Sequence, residues 1–289
     1  MASAQKPKAS DKQAVCKKIV TALKKHYKGS HSCKDLPVLE TLVYAVCLED
    51  TSDEQAEKTY QRLHDSFFDL NEIRVSSISE LAVVFDDLPD AELRGMMVRN
   101  LLQHVFEKHY DFDLEDLKRK TLEQAVKQLE EIPDLSPFVR NYALQTCLGS
   151  HLVPADHSTT NALIWLGLVE ADQTPEEAAD SLKPVIRKAD GPQFCYLIRC
   201  LAVDPKFQET FDPEATPPPE EGHDLMTSPN RLKDLLEKGP KKSASSKSSS
   251  GTRSGTTGSR KKSTSQSKSS KSSTSKRTTK RKTSRPGKS

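Results

Sequence analysis

Asp156 has the setting that most invites a chemical reading. It sits in a loop, 149–158, that also holds His151 and His157, and helical spacing of apolar residues resumes at Thr159. Two readings of these residues stand together. A carboxylate or hydroxyl just before a helix accepts from the free backbone N–H groups of the first turn, so Asp156 or Ser158 would cap the helix. A carboxylate between two imidazoles could also ligate a metal, but donors confined to one loop make a weak zinc pattern. His104 and His109 lie five apart near Asp111 and Asp113 and do not share a helix face. The expectation is therefore no metal and no cofactor. No Walker loop, GxGxxG, GxSxG or HExxH occurs. Nucleotide hydrolysis, dinucleotide binding and the common hydrolase mechanisms thus lack support. Trp165, the single tryptophan, falls at helical spacing among apolar neighbours and reads as core.

A second chemistry lies at the other end of the chain. Residues 238–289 hold 17 Lys/Arg and no acid, whereas residues 1–237 hold 27 Lys/Arg against 41 acids, a net of −14. Half of that last stretch is Ser or Thr, and a single Ala is its only apolar residue, so it cannot bury a core and is expected to be disordered. Its cations cluster at Lys241-Lys242, Arg260-Lys261-Lys262 and Lys276-Arg277, then Lys280-Arg281-Lys282. Such a tail releases counterions from a polyanion, with little sequence preference and steep salt dependence. It is similar to the tails of histone H1-type DNA-compacting proteins. The competing reading is a tail folded back on the acidic body. Phosphorylation of its Ser and Thr would weaken the grip on DNA.

The elements that must position these groups read as helices throughout. Val15, Ile19, Leu23 and Tyr27 form one face of a helix over 11–27. A dense apolar segment, 36–47, is followed by the loop 48–51, and Ser52 with its following acids opens the next helix. Further helices are predicted over 79–88, from Pro89-Asp90 to about 110, and over 121–132, 137–148, 159–170, 175–188 and 193–203. No segment alternates apolar with polar residues, so the fold class is all-α. Residues 1–10 are predicted to be a flexible N-terminus, 11–203 the helical domain and 204–237 a Pro-rich acidic linker with a short helix at 231–238. No apolar run reaches the 18 residues that suggest a membrane span, and the N-terminus has no secretory signal. The six cysteines, Cys16, Cys33, Cys47, Cys147, Cys195 and Cys200, make no CxxC pair and read as free thiols in a reducing compartment.

Residues 129–168 carry a resemblance. A helix ends, Ile132-Pro133-Asp134-Leu135-Ser136 turns tightly, Ser136 and Pro137 open a second helix, and a loop leads to Asp156. This order resembles the helix–hairpin–helix DNA glycosylase superfamily (HhH-GPD), typified by endonuclease III, and the likeness extends over about 35–203. In that family the hairpin reads apolar-Pro-Gly-apolar-Gly. Bifunctional members place a nucleophilic Lys five residues after the Pro and a catalytic Asp eighteen later. Those positions are Phe138 and Asp156 here, with no gap. The resemblance implies a two-lobed helical endonuclease III-like fold. It implies hairpin contacts to DNA through Pro133, Leu135 and Ser136, a pocket near Phe138 and His157, and Asp156 as the surviving catalytic group.

The departures from the family pattern limit the chemistry. Phe138 offers no amine for a Schiff base, so an active version would be a monofunctional N-glycosylase acting on a flipped base. Asp134 and Ser136 replace the hairpin glycines, and a carboxylate there repels phosphate. Only Cys195 and Cys200 lie beyond the catalytic loop, so the iron–sulfur cluster of endonuclease III is absent. Glu49 stands where that enzyme has a wedge Gln. Two functions follow: a divergent monofunctional glycosylase, or a catalytically inactive DNA-binding or architectural protein tethered by its tail. The expected partner is DNA, not membrane, and the expected state is a monomer on the nucleoid of a bacterium or in a nucleus.

Overall fold

The computed structural model describes residues 8–28, 35–219 and 222–240. Cys33 and the basic stretch from Lys241 onward lie outside the described residues. Thirteen α-helices run in order among the described residues, with no strand. They are α1 (Ala9–His26), α2 (Val38–Leu48), α3 (Asp53–Ser66), α4 (Leu70–Val75), α5 (Ile78–Val84), α6 (Ala91–His109) and α7 (Leu122–Glu130). Then follow α8 (Pro137–Leu148), α9 (His157–Trp165), α10 (Pro175–Leu182), α11 (Gly191–Ala202), α12 (Gln208–Phe211) and α13 (Ser228–Lys238). No helix among the described residues is long and apolar enough to cross a membrane.

The helices begin where local chemistry satisfies their free N–H groups. Ser77 with Glu80, Thr121 with Gln124, and Thr174 with Glu177 form reciprocal capping boxes at α5, α7 and α10. The Ser136 hydroxyl accepts from Val139 N at 3.1 Å, and Pro137 fills the first position of α8. Each such cap is worth about 1 kcal/mol.

The chain builds two cores. The first is filled by α2 to α8, with α2 at its centre and ten of its eleven residues buried. The second is filled by α1 and by everything after Leu152. The chain therefore starts in the second lobe, builds the first, and returns. Arg199 of α11 is 5% exposed and pairs with Asp53 of α3 at 2.5 Å, tying the lobes together.

Two expectations change. Residues 204–237 do not form a linker. Phe207, Phe211, Leu225, Leu232 and Leu235 are all buried in the second core. These apolar residues come as short pairs, Phe207 with Phe211 and Leu232 with Leu235, separated by prolines and acids, so the stretch as a whole reads as polar. The N-terminal helix likewise starts at Ala9, inside the stretch 1–10 expected to be flexible. The short helix Leu70–Val75 lacked a periodic signal at its length, and its only buried residue is Ile73.

Candidate functional site

Three segments meet around Asp156. The first is the loop after α2. Arg94 of α6 is 5% exposed, and its guanidinium donates to the carbonyls of Val46, Glu49 (2.6 Å) and Pro89 (2.7 Å). The cation thus satisfies carbonyls at the C-terminus of α2, where the helix dipole favours positive charge. It also fixes the loop's course into Asp50, which adopts φ 54°.

The second segment is the start of α9. Asp156 is its N-cap, and the carboxylate accepts from Thr159 N at 2.8 Å. Its other oxygen accepts from Asp50 N at 2.9 Å, while the Asp50 carboxylate accepts from Ser158 N at 2.7 Å. The two aspartates thereby clasp each other's backbone across the junction of the lobes. Asp156 is 2% exposed, with each carboxylate oxygen occupied by an amide. The cap is Asp156 rather than Ser158, and α9 starts at His157, two residues before the expected Thr159.

The third segment is the hairpin. Ile132 is buried, Leu135 and Ser136 are half-buried, and Pro133 and Asp134 are exposed. Asp134 has φ 60°, a left-handed conformation that suits glycine, and its carboxylate accepts from Asn100 Nδ2 at 2.8 Å. The hairpin backbone at Asp134 is thus one that favours glycine; Asp tolerates it better than most side chains do. The Ser136 hydroxyl lies near enough to the Glu49 carboxyl to lower its pKa, which puts hairpin and loop side by side.

The electrostatics at this junction are acidic. Burial pushes the Glu49 carboxyl up to about 7; the neighbouring Asp156 and Asp50 add to this, while the nearby Ser136 hydroxyl and the Arg94 cation oppose it. The Asp50 carboxyl is likewise raised, first by burial and then by Asp156, against the hydrogen bonds from Ser158.

The residues singled out from the sequence separate into two groups. Ser136 and Asp156 are brought together through Glu49 and Asp50, and Leu135 and Pro133 lie on the same hairpin. Phe138 and His157 do not face a common pocket. Phe138 turns inward at the second position of α8, is 2% exposed, and stacks on Tyr142 at 6.0 Å and 25°. His157 is exposed. The His151 ring lies 2.8 Å from the Ile186 carbonyl. Trp165 is core, as read, beneath Phe211 and the Arg231 guanidinium. Sequence reasoning missed Asp50 and Arg94. An Asp before Thr51-Ser52 looks like turn chemistry, and nothing local marks Arg94 as buried.

No protein-family model and no curated protein sequence matches the chain. Solved structures do. A trapped endonuclease III–DNA covalent intermediate and a non-covalent endonuclease III–DNA complex each match at TM-score 0.52. Each is 14% identical, over 65% of this chain and 85% of the other. A thermostable thymine-DNA glycosylase matches at TM-score 0.50 and 10% identity, over 67% of this chain and 86% of that one. Two helical lobes, a hairpin and an aspartate at the junction, together with these likenesses, give the chain an endonuclease III-like fold.

Proposed function

We propose that this protein binds DNA through an endonuclease III-like body and a basic tail, and that the body holds its DNA without excising bases. The observation that carries this reading is the state of Asp156. Its carboxylate is 2% exposed and clasped by the amides of Asp50 and Thr159. A group spent on closing the lobes is poorly placed to meet a flipped sugar. Phe138 supplies no amine, and its ring is packed in the first core. Glu49 and Asp134 put acids where the family resemblance expects a DNA-facing surface. Residues 241–289 then supply the phosphate affinity through Lys241, Lys242, Arg260, Lys261, Lys262, Lys276, Arg277, Lys280, Arg281 and Lys282. The monomer is the acting unit.

One observation favours a second reading, a monofunctional N-glycosylase using Asp156. Glu49, raised to about 7, stands beside Asp156. A carboxyl that can give up a proton near neutral pH, next to a second carboxyl, is the raw material of acid-assisted glycosidic cleavage.

The test of the binding reading is the salt dependence of duplex affinity, for the full chain and for a chain ending at residue 240. Steep dependence in the full chain that collapses on truncation is the expected result. An unchanged slope removes the tail from the account.

A further inference from the structure

The acidic body carries a strongly basic ridge among its described residues, and neither the tail nor the Asp156 junction accounts for it. Residues 8–28 hold seven lysines and one acid, Asp11. Four of those lysines, Lys17, Lys18, Lys24 and Lys25, are exposed along α1 and recur at a spacing of seven. Seven residues are about two helical turns, about 10.5 Å, so the two pairs lie on one face with Thr21 between them.

The surroundings reinforce the ridge. On one side a groove of about 350 Å³ is lined by Lys17, Lys24 and Arg187, with Asp190 as its acid. On the other, a groove of about 760 Å³ is lined by Lys17, Lys18, Lys25 and Lys233 of α13, with Glu237 as its acid, 3.8 Å from Lys233. Six cations thus face two carboxylates. None of the four α1 lysines has an ion-pair partner among the described residues. The dipole of α1 favours Lys24 and Lys25 in its last turn, but not Lys17 and Lys18 a further two turns back. Four unpaired like charges on one face cost stability.

We propose that the α1 ridge, flanked by Arg187 and Lys233, is a second phosphate-backbone binding surface for nucleic acid, located on the body. The inference rests on the reading that the chain binds DNA. About 10.5 Å of duplex axis presents about six phosphate charges, which matches the cations available. A lipid surface fits less well, because a membrane-surface helix must bury an apolar face in the bilayer. The apolar face of α1, with Val15, Ile19 and Leu23, is already committed to the second core. Body ridge and tail would then hold the same polyanion at two points, and each raises the effective concentration of the other.

The test uses the full chain carrying Lys17→Gln, Lys18→Gln, Lys24→Gln and Lys25→Gln together, with a four-Arg variant as the conservative control. The slope of log affinity against log salt is measured on a duplex lacking any lesion. Loss of four phosphate contacts lowers its magnitude by about 3.6, and the Arg variant restores it. An unchanged slope in the Gln variant, while truncation at 240 still lowers it, overturns the ridge and leaves the tail reading standing. An unchanged slope in both overturns both. Retained duplex binding with lost binding to phosphatidylserine vesicles overturns the ridge as a nucleic-acid surface and assigns it to lipid. Unchanged thermal unfolding of the Gln variant excludes misfolding as the cause of any loss.

Discussion

At the residue scale the account turns on carboxylates that serve structure. Asn at position 156 has one acceptor oxygen for two amides, so either Asp50 N or Thr159 N is left buried and unpaired. Asp156→Asn is therefore expected to cost about 1–3 kcal/mol. At about 2–4 °C per kcal/mol for a body of this size, calorimetry reads a clear fall in Tm. An unchanged Tm would remove the clasp. Glu49 gives a pH dependence with a definite sign. Its carboxyl is raised to about 7 in the folded chain, so folding takes up a proton. That contribution is fully present below the ordinary carboxyl value of 4.5 and is lost as pH rises through about 7. Glu49→Gln is expected to flatten the stability–pH curve between those limits and to raise Tm at pH 8. Parallel curves for the two chains would contradict the burial of Glu49. Asp134→Gly removes a left-handed non-glycine residue and a carboxylate from the hairpin, and tighter duplex binding at low salt is the expected result. Weaker binding would mean that the Asp134 carboxylate contributes to the interface.

At the element scale, the ends of helices decide what can be read ahead of the structure. The helix at Pro137–Leu148 was legible to the residue, because Ser136, Pro137 and Gly149 each carry a terminal signal of their own. The predicted 159–170 helix instead ends at Trp165. There Gly167 N bonds to the Ile164 carbonyl and Leu168 N to Leu163, closing a Schellman turn. A later segment dictates this stop. Gly167 has φ 70°, and a Cβ on it would lie 2.3 Å from the backbone oxygen of His223. Nothing in the sequence near Gly167 reports that residues 222–225 will lie against it. Gly167→Ala is expected to destabilise the second lobe by about 2 kcal/mol or more, through the left-handed backbone and the contact together. Denaturant unfolding checks this, and a loss under about 0.5 kcal/mol would mean the segment moves aside. The same non-local dependence hid the Asp50–Asp156 clasp. Asp156 was legible by spacing and as a cap candidate, whereas its partner lies 106 residues away and shows itself only when the lobes meet.

At the scale of the whole molecule, charge and fold answer different questions. The helical periods and the order of elements around the hairpin reported the all-α, endonuclease III-like architecture, because burial faces repeat within each helix. The packing of residues 204–237 was not legible, since its short apolar pairs stand apart among prolines and acids and form no extended periodic stretch. Charge is distributed as −14 over residues 1–237 and 17 cations without an acid after them, a split that the helical architecture does not report. The most direct measurement of the central claim is single-turnover base excision at low salt. The full chain is incubated with duplexes carrying uracil, alkylated, oxidised and mismatched bases, and alkali then reveals abasic sites. Tight binding with no strand breaks after alkali is the predicted result, the same for the native chain and for Asp156→Asn. Alkali-labile sites formed by the native chain and lost in Asp156→Asn would contradict it and make the protein a monofunctional glycosylase.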